Sequence, residues 1–178
     1  MQLFRWLFLT LAFGLSGAEL SATQMTPLPV EELGQRADLI LHGTVLNQTC
    51  QRSPEGRIYT RVELQVREVW KGALTNATFT IVHSGGTVGN LRTEVSGQVR
   101  YAVGEEVVAF LALNSRGEGV TLGLAQGKFR VWQDKQTGEK FAHNLFHGTS
   151  EQSPAPADKP SERLALKDLG ARVMAVTR

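Results

Sequence analysis

The stretch "RIYTRVELQVREVW" (57–70) alternates: Ile58, Thr60, Val62, Leu64 and Val66 fall on one side of an extended chain, Tyr59, Arg61, Glu63, Gln65 and Arg67 on the other. A period of two marks a strand with one dry and one wet face. Upstream, "LILHGTVLNQTC" (39–50) is apolar and β-rich and predicts a first strand. "SPEG" joins the two, Pro54 fixing φ and Gly56 closing the turn. Downstream, "ATFTIVH" (77–83) alternates Phe79 and Ile81 with Thr78 and Thr80. "GEEVVAFLAL" carries an almost unbroken apolar run from Val107 to Leu113, which predicts a central strand. In "VTLGLAQGKFRVW" (120–132), Gly123 and Gly127 interrupt a strand pattern and predict a bulge or sharp bend. "QDKQTGEK" then turns the chain into a short edge strand at "FAHNLF".

Helical spacing occurs at the two ends of this β-rich stretch. "VEELGQR" predicts a helix over residues 30–36, started by Pro29 and with Glu31 and Glu32 in its first turn. "SERLALKDLGARVMAV" sets Leu166, Leu169, Val173 and Val176 on one face, with Ser161 as candidate N-cap. "TSEQSPAPADKPS" (149–161) has the composition of a polar, proline-rich linker. The expected architecture is mainly β: a small antiparallel OB-like barrel over 19–148, flanked by a short N-terminal helix and a C-terminal helix over 162–178. Spacing does not decide whether that last helix docks on the barrel.

The first eighteen residues, "MQLFRWLFLTLAFGLSGA", change the setting. Arg5 precedes ten uncharged residues, Trp6 to Leu15, and small residues follow at Ser16, Gly17 and Ala18. That order predicts a signal peptide over 1–18, its apolar run too short for a membrane span of ~20 residues. The protein is therefore expected to be exported, to the periplasm or the medium, with no membrane span once the signal is removed. The chain has 19 basic and 17 acidic residues; without Arg5 the balance is 18 to 17. So even a balance offers no basic face for nucleic acid. Cys50 is the single cysteine, so an exported form relies on its core rather than on an internal disulfide. It is expected as a small half-buried strand residue, an intermolecular bridge being the alternative.

The most suggestive motif is "HSGGTVGN" (83–90). A phosphate loop needs a Gly-Lys-Ser/Thr ending and a following helix, whereas the β-branched "LRTEVSG" comes next. Spacing and surroundings also exclude a dinucleotide fingerprint. The segment reads as a corner between strands, glycine permitting positive φ, with a backbone anion nest as the alternative. Corners at a barrel rim are where partners bind, so Ser84, Gly85, Gly86, Arg92 and Tyr101 form a candidate partner-binding rim. Of the four histidines, His143 and His147 have i,i+4 spacing outside any convincing helix, while His42 and His83 stand on strands from which they could converge. With a loop carboxylate, that pair is the basis of an alternative reading as a hydrolase or metal-dependent enzyme. No "GxSxG" or "HExxH" occurs, and Glu105–Glu106 sits before a strand, where Glu105 is placed to accept loop amides. No catalytic residue, metal ligand or cofactor is assigned. Interleaved basic and aromatic residues, among them Tyr59, Arg61, Trp70, Arg100, Lys128, Arg130 and Trp132, suit a saccharide-binding face if Trp70 and Trp132 are exposed.

The segments "RADLILHGTV", "VREVWKG", "HSGGTVGN", "GEEVVAFLAL" and "GLAQGKFRV", in that order, resemble an uncharacterised class of exported bacterial domains. Such domains occur alone or beside matrixin-like metallopeptidase modules. The first strand and the "VWKG" strand end are similar to netrin-type OB barrels, the group that includes tissue inhibitors of metalloproteinases. The likeness covers roughly residues 30–132. Those inhibitors chelate a protease zinc through an N-terminal cysteine in a disulfide-rich framework, which this chain lacks, so their mechanism does not carry over. What the resemblance implies is an exported barrel with a protein partner, protease-like, outside the cytoplasm. The expected function is a non-enzymatic binding module.

Overall fold

The computed structural model describes residues 27–144, 146 and 164–177. The expected signal peptide (1–18), the proline-rich segment (149–161), Ser161 and His147 lie outside the described residues. The chain is mainly β with two helices: α1 (Val30–Arg36), β1 (Leu39–Arg52), β2 (Ile58–Lys71), β3 (Thr78–Ser84), β4 (Gly86–Val88), β5 (Leu91–Thr93), β6 (Glu106–Leu113), β7 (Gly119–Thr121), β8 (Lys128–Gln133), β9 (Lys140–His143), β10 (Leu164–Ala165) and α2 (Leu166–Thr177). Among these residues no helix is long and apolar enough to cross a membrane.

The large sheet runs β1-β2-β3-β7-β6-β8-β9-β10, and β1 also pairs with β6. Strands β1, β2, β3, β7 and β6 therefore close into a ring, with β8, β9 and β10 continuing outward from β6. The closure corrects one expectation. Antiparallel alternation cannot be kept around an odd number of strands, so one of the five pairings must be parallel. It is β3–β7, made at Ile81 and Gly119. Gly119 suits that closure: a Cβ there would stand 2.8 Å from Phe79 and 2.9 Å from Leu111. Strand β1 bends to serve two partners, with irregular register on β2 at Ile40/Leu41, His42/Gly43 and Val45/Asn47. At Gly43 a Cβ would lie 2.3 Å from the Gln65 carbonyl oxygen, so only glycine lets β1 and β2 approach so closely.

Two apolar cores lie on opposite faces of the same sheet. Leu39, Leu41, Val45, Val62, Leu64, Ile81, Val107, Ala109 and Leu111 fill the ring. Ile40, Val108, Phe110, Phe129 and Val131 form a second cluster with Val30 and Leu33 of α1 and Leu169 and Val173 of α2. This explains the unbroken apolar run of β6: its odd positions face the ring and its even positions face the helices. The helices are not at opposite ends, as flanking positions in sequence suggest, but packed on each other. Arg172 reaches both carboxylate oxygens of Glu31 (2.7 and 3.1 Å). A Cβ on Gly34 would come within 2.9 Å of Val176, so the small residue sets how near they pass. Strand β9 is also not an edge, because β10 pairs beyond it.

The predicted bend at Gly123 and Gly127 is a tight turn between β7 and β8. It is seated on β6 by bonds from the Leu122 amide to the Phe110 carbonyl (3.0 Å) and from the Phe110 amide to the Gly127 carbonyl (2.8 Å).

Candidate functional site: a cleft at the mouth of the ring

The inward face of β2 carries Val62 and Leu64 deep in the ring, with Thr60, 3 % exposed, next toward its mouth. Register sets Cys50 of β1 on one side of Thr60 and His83 of β3 on the other. The three side chains thus stand in a row across three strands, where the apolar filling stops. Cys50 Sγ lies 3.4 Å from Thr60 Oγ1, and that hydroxyl donates to the Gly85 carbonyl at 2.7 Å. Cys50 is half-buried, as expected.

After β3 the chain makes the corner that the glycines foretell, but as a two-stranded hairpin, β4–β5, rather than a wide open loop. Gly86 has φ +134°, and a Cβ there would lie 2.6 Å from Cys50 Sγ and 2.7 Å from Thr60 Oγ1. The hairpin is therefore seated directly on the Cys50–Thr60 row. The returning segment brings Val99 and Tyr101 into the ring core.

Between the strand row and this hairpin lies a cleft of about 430 Å³, lined among others by Cys50, Thr60, His83, Arg92, Arg100 and Tyr101. All five residues of the candidate rim, Ser84, Gly85, Gly86, Arg92 and Tyr101, line this one cleft. Tyr101 is 5 % exposed and forms part of the wall, its hydroxyl 2.8 Å from Thr121 Oγ1. Burial holds that phenol well above its ordinary pKa. Lys128 Nζ sits 4.9 Å from the centre of the Tyr101 ring and bonds Glu105 Oε2 at 2.7 Å. Glu105 in turn accepts the Ala102 amide at 3.0 Å, the loop-holding role its position suggests.

His83 stacks on Tyr101 with ring centres 6.3 Å apart. Its Nδ1 lies 3.0 Å from the Ser84 carbonyl oxygen. A carbonyl only accepts, so Nδ1 carries the proton and Nε2 presents its lone pair. That Nε2 is buried without a hydrogen-bond partner among the described residues. Burial pulls the imidazole pKa below its usual value, against the raising effect of the Ser84 bond and with a small lowering from Lys128. The ring is consequently neutral at pH 7.

The two histidines of the alternative reading do not meet. His42 lies opposite Glu68 of β2 and His83 opposite Thr60, eight positions apart on one strand, a span of roughly 26 Å. His42, 3 % exposed, belongs to a separate cluster near α2. Its Nε2 is 2.7 Å from Glu106 Oε1, which also accepts Lys140 Nζ at 2.7 Å. Nδ1 faces Glu68 Oε1 at 3.5 Å, too long for a full hydrogen bond. Glu68 accepts Trp70 Nε1 at 2.9 Å. Burial raises the Glu106 pKa, yet the bonds from Lys140 and His42 outweigh it and hold the carboxyl below its ordinary value. This cluster ties β1, β2, β6 and β9 together. A second, more apolar cleft of about 480 Å³ lies beside it, between Trp70 and the Leu166, Gly170 and Met174 side of α2.

No three His, Cys, Asp or Glu side chains are gathered to hold a metal among the described residues. The basic and aromatic residues do not share one face: Tyr101 lies in the ring core, Trp70 is half-buried beside α2, and Trp132 stacks on Phe141 at 5.0 Å. Sequence reasoning missed Thr60, Glu94, Gln98 and Arg100 as cleft residues. Period two on β2 does turn Thr60 inward, but nothing local marks which inward residue ends the core. No protein-family model and no curated protein matches this sequence.

Proposed function

We propose that the protein is an exported, non-enzymatic binding module built on an OB-like barrel, and that its partner docks at the mouth of the ring. One observation carries this reading: the five rim residues line a single cleft, closed on three sides by the strand row, the hairpin and Tyr101. Closure of five strands into a ring supports the OB-like assignment, and the order of Arg5, the uncharged run Trp6 to Leu15 and the small residues Ser16, Gly17 and Ala18 supports export. The separation of His42 from His83 leaves the hydrolytic alternative without its histidine pair. A protease-like partner outside the cytoplasm is the class that the resemblance to netrin-type barrels implies.

The test is capture from an extracytoplasmic fraction with the wild-type chain and with Ser84→Trp. Ser84 is exposed and lines the cleft, so the indole fills the site without entering the core. A specific partner retained by wild type and lost by Ser84→Trp is the expected result. Retention by both overturns the docking site, and reproducible turnover of any substrate overturns the non-enzymatic reading.

A further inference from the structure

The cleft carries a charge arrangement that ring closure does not use. Arg92 bonds Glu94 Oε1, and Arg100 Nη2 stands 3.7 Å from that same oxygen. The three side chains are 69, 59 and 84 % exposed for Arg92, Glu94 and Arg100. They are the charged groups of the cleft lining at neutral pH, which leaves an excess of one positive charge. Two guanidinium groups already converge on one carboxylate, the geometry for which arginine is suited. Ion pairs so exposed cost little to break. Glu94 therefore stands where an incoming carboxylate would be held.

The strand that carries Arg92, and that leads directly into Glu94, is also open. Every residue of β5 (Leu91–Thr93) is exposed, and among the described residues it pairs with β4 on one side only. Leu91 and Val95 flank the arginine position at 53 and 40 % exposure. A free edge of this kind accepts an extended chain by main-chain pairing, and alternate side chains give the specificity.

We propose that the cleft receives an extended acidic segment of a protein partner, paired along β5, with a carboxylate held by Arg92 and Arg100 in place of Glu94. The inference rests on the cleft being the docking site. Glu94 then acts as a built-in competitor that screens the arginines until a matching segment arrives.

The probe is a fluorescein-labelled peptide, Gly-Ser-Val-Glu-Val-Glu-Val-Thr-Gly-Ser, compared by fluorescence anisotropy with its counterpart carrying Gln for both Glu. Wild type is expected to favour the acidic peptide by about tenfold, from charge-assisted hydrogen bonds. Arg92→Gln with Arg100→Gln removes that preference, and Glu94→Gln strengthens acidic binding several-fold. All three positions are exposed, and unchanged urea midpoints confirm intact folding. Equal affinity for the two peptides, binding of neither, or a preference that survives the double arginine variant overturns the proposal. Failure is separable from failure of the function itself. Partner capture lost in Ser84→Trp but kept in the arginine variant sinks the acidic ligand alone, whereas capture kept in both sinks the cleft.

Discussion

Gly86→Ala is the sharpest perturbation of the cleft, because it tests whether the hairpin rests on the strand row. Two costs combine. At φ +134° an L side chain adds backbone strain of about 1–3 kcal/mol. Its Cβ would also press on Cys50 Sγ and Thr60 Oγ1 at 2.6 and 2.7 Å. Thr60 has little room to give, being 3 % exposed and bonded to the Gly85 carbonyl. Overpacking of this kind costs ~1–3 kcal/mol. Together they come to about 2–6 kcal/mol, a large share of a domain's ~5–15 kcal/mol. Gly89→Ala is the matched control. It has positive φ too (+57°), but nothing lies within 4 Å of its Cβ position, so only strain of ~1–2 kcal/mol applies. Urea unfolding of both variants gives the difference directly. Cys50→Ala, added to Gly86→Ala, removes the nearest atom and should recover about 1–2 kcal/mol as coupling in a double-mutant cycle. Equal losses for the two glycine variants, or no coupling to Cys50, would refute the seating of the hairpin.

Three further perturbations probe the rest of the structure. His83 has a folded pKa depressed from 6.5 by burial; the folded state thus binds fewer protons, and the stability present above pH 6.5 declines as pH falls from there toward the folded value. Urea midpoints at about pH 7.5 and about pH 5.5 should therefore diverge less in His83→Gln than in wild type. Glu106→Gln weakens the charged hub of Lys140 and His42 and should cost about 1–3 kcal/mol near neutrality. Because the Glu106 carboxyl is held below its ordinary value of 4.5, its contribution is full above that value and vanishes as pH drops through the folded pKa, so the variant's deficit shrinks in acid. Leu169→Ala empties a fully buried site shared by α2, α1 and the sheet and should cost ~2–5 kcal/mol with a single unfolding transition; a loss below ~0.5 kcal/mol would mean that α2 only hangs beside the domain.

Much of the fold was legible because each strand speaks its period. Thr60, Val62 and Leu64 announce one inward face, and the helix over Val30–Arg36 is bounded as its Pro29 and first-turn acids suggest. What local sequence cannot carry is pairing. The parallel β3–β7 contact follows from ring parity, and no residue of "GVT" signals it. Docking of α2 was equally hidden, since Leu169 and Val173 define a face without naming what covers it. The candidate rim was found through glycine chemistry at 85 and 86, where a missing Cβ is required by close approach of Gly85 to the Thr93 carbonyl and of Gly86 to Cys50 and Thr60. Arg100, only one residue from Tyr101, escaped because its relevance arises from Glu94, which β5 and the following turn bring between the two arginines.

The most direct test of the account is a ¹H–¹⁵N correlation spectrum of the chain, titrated with the acidic peptide. Perturbed amides should cluster at 84–101 together with Cys50 and Thr60, while those of α1, α2 and the His42–Glu106 hub stay still. Shifts centred on α2 and Trp70, or scattered over both faces of the sheet, would contradict it.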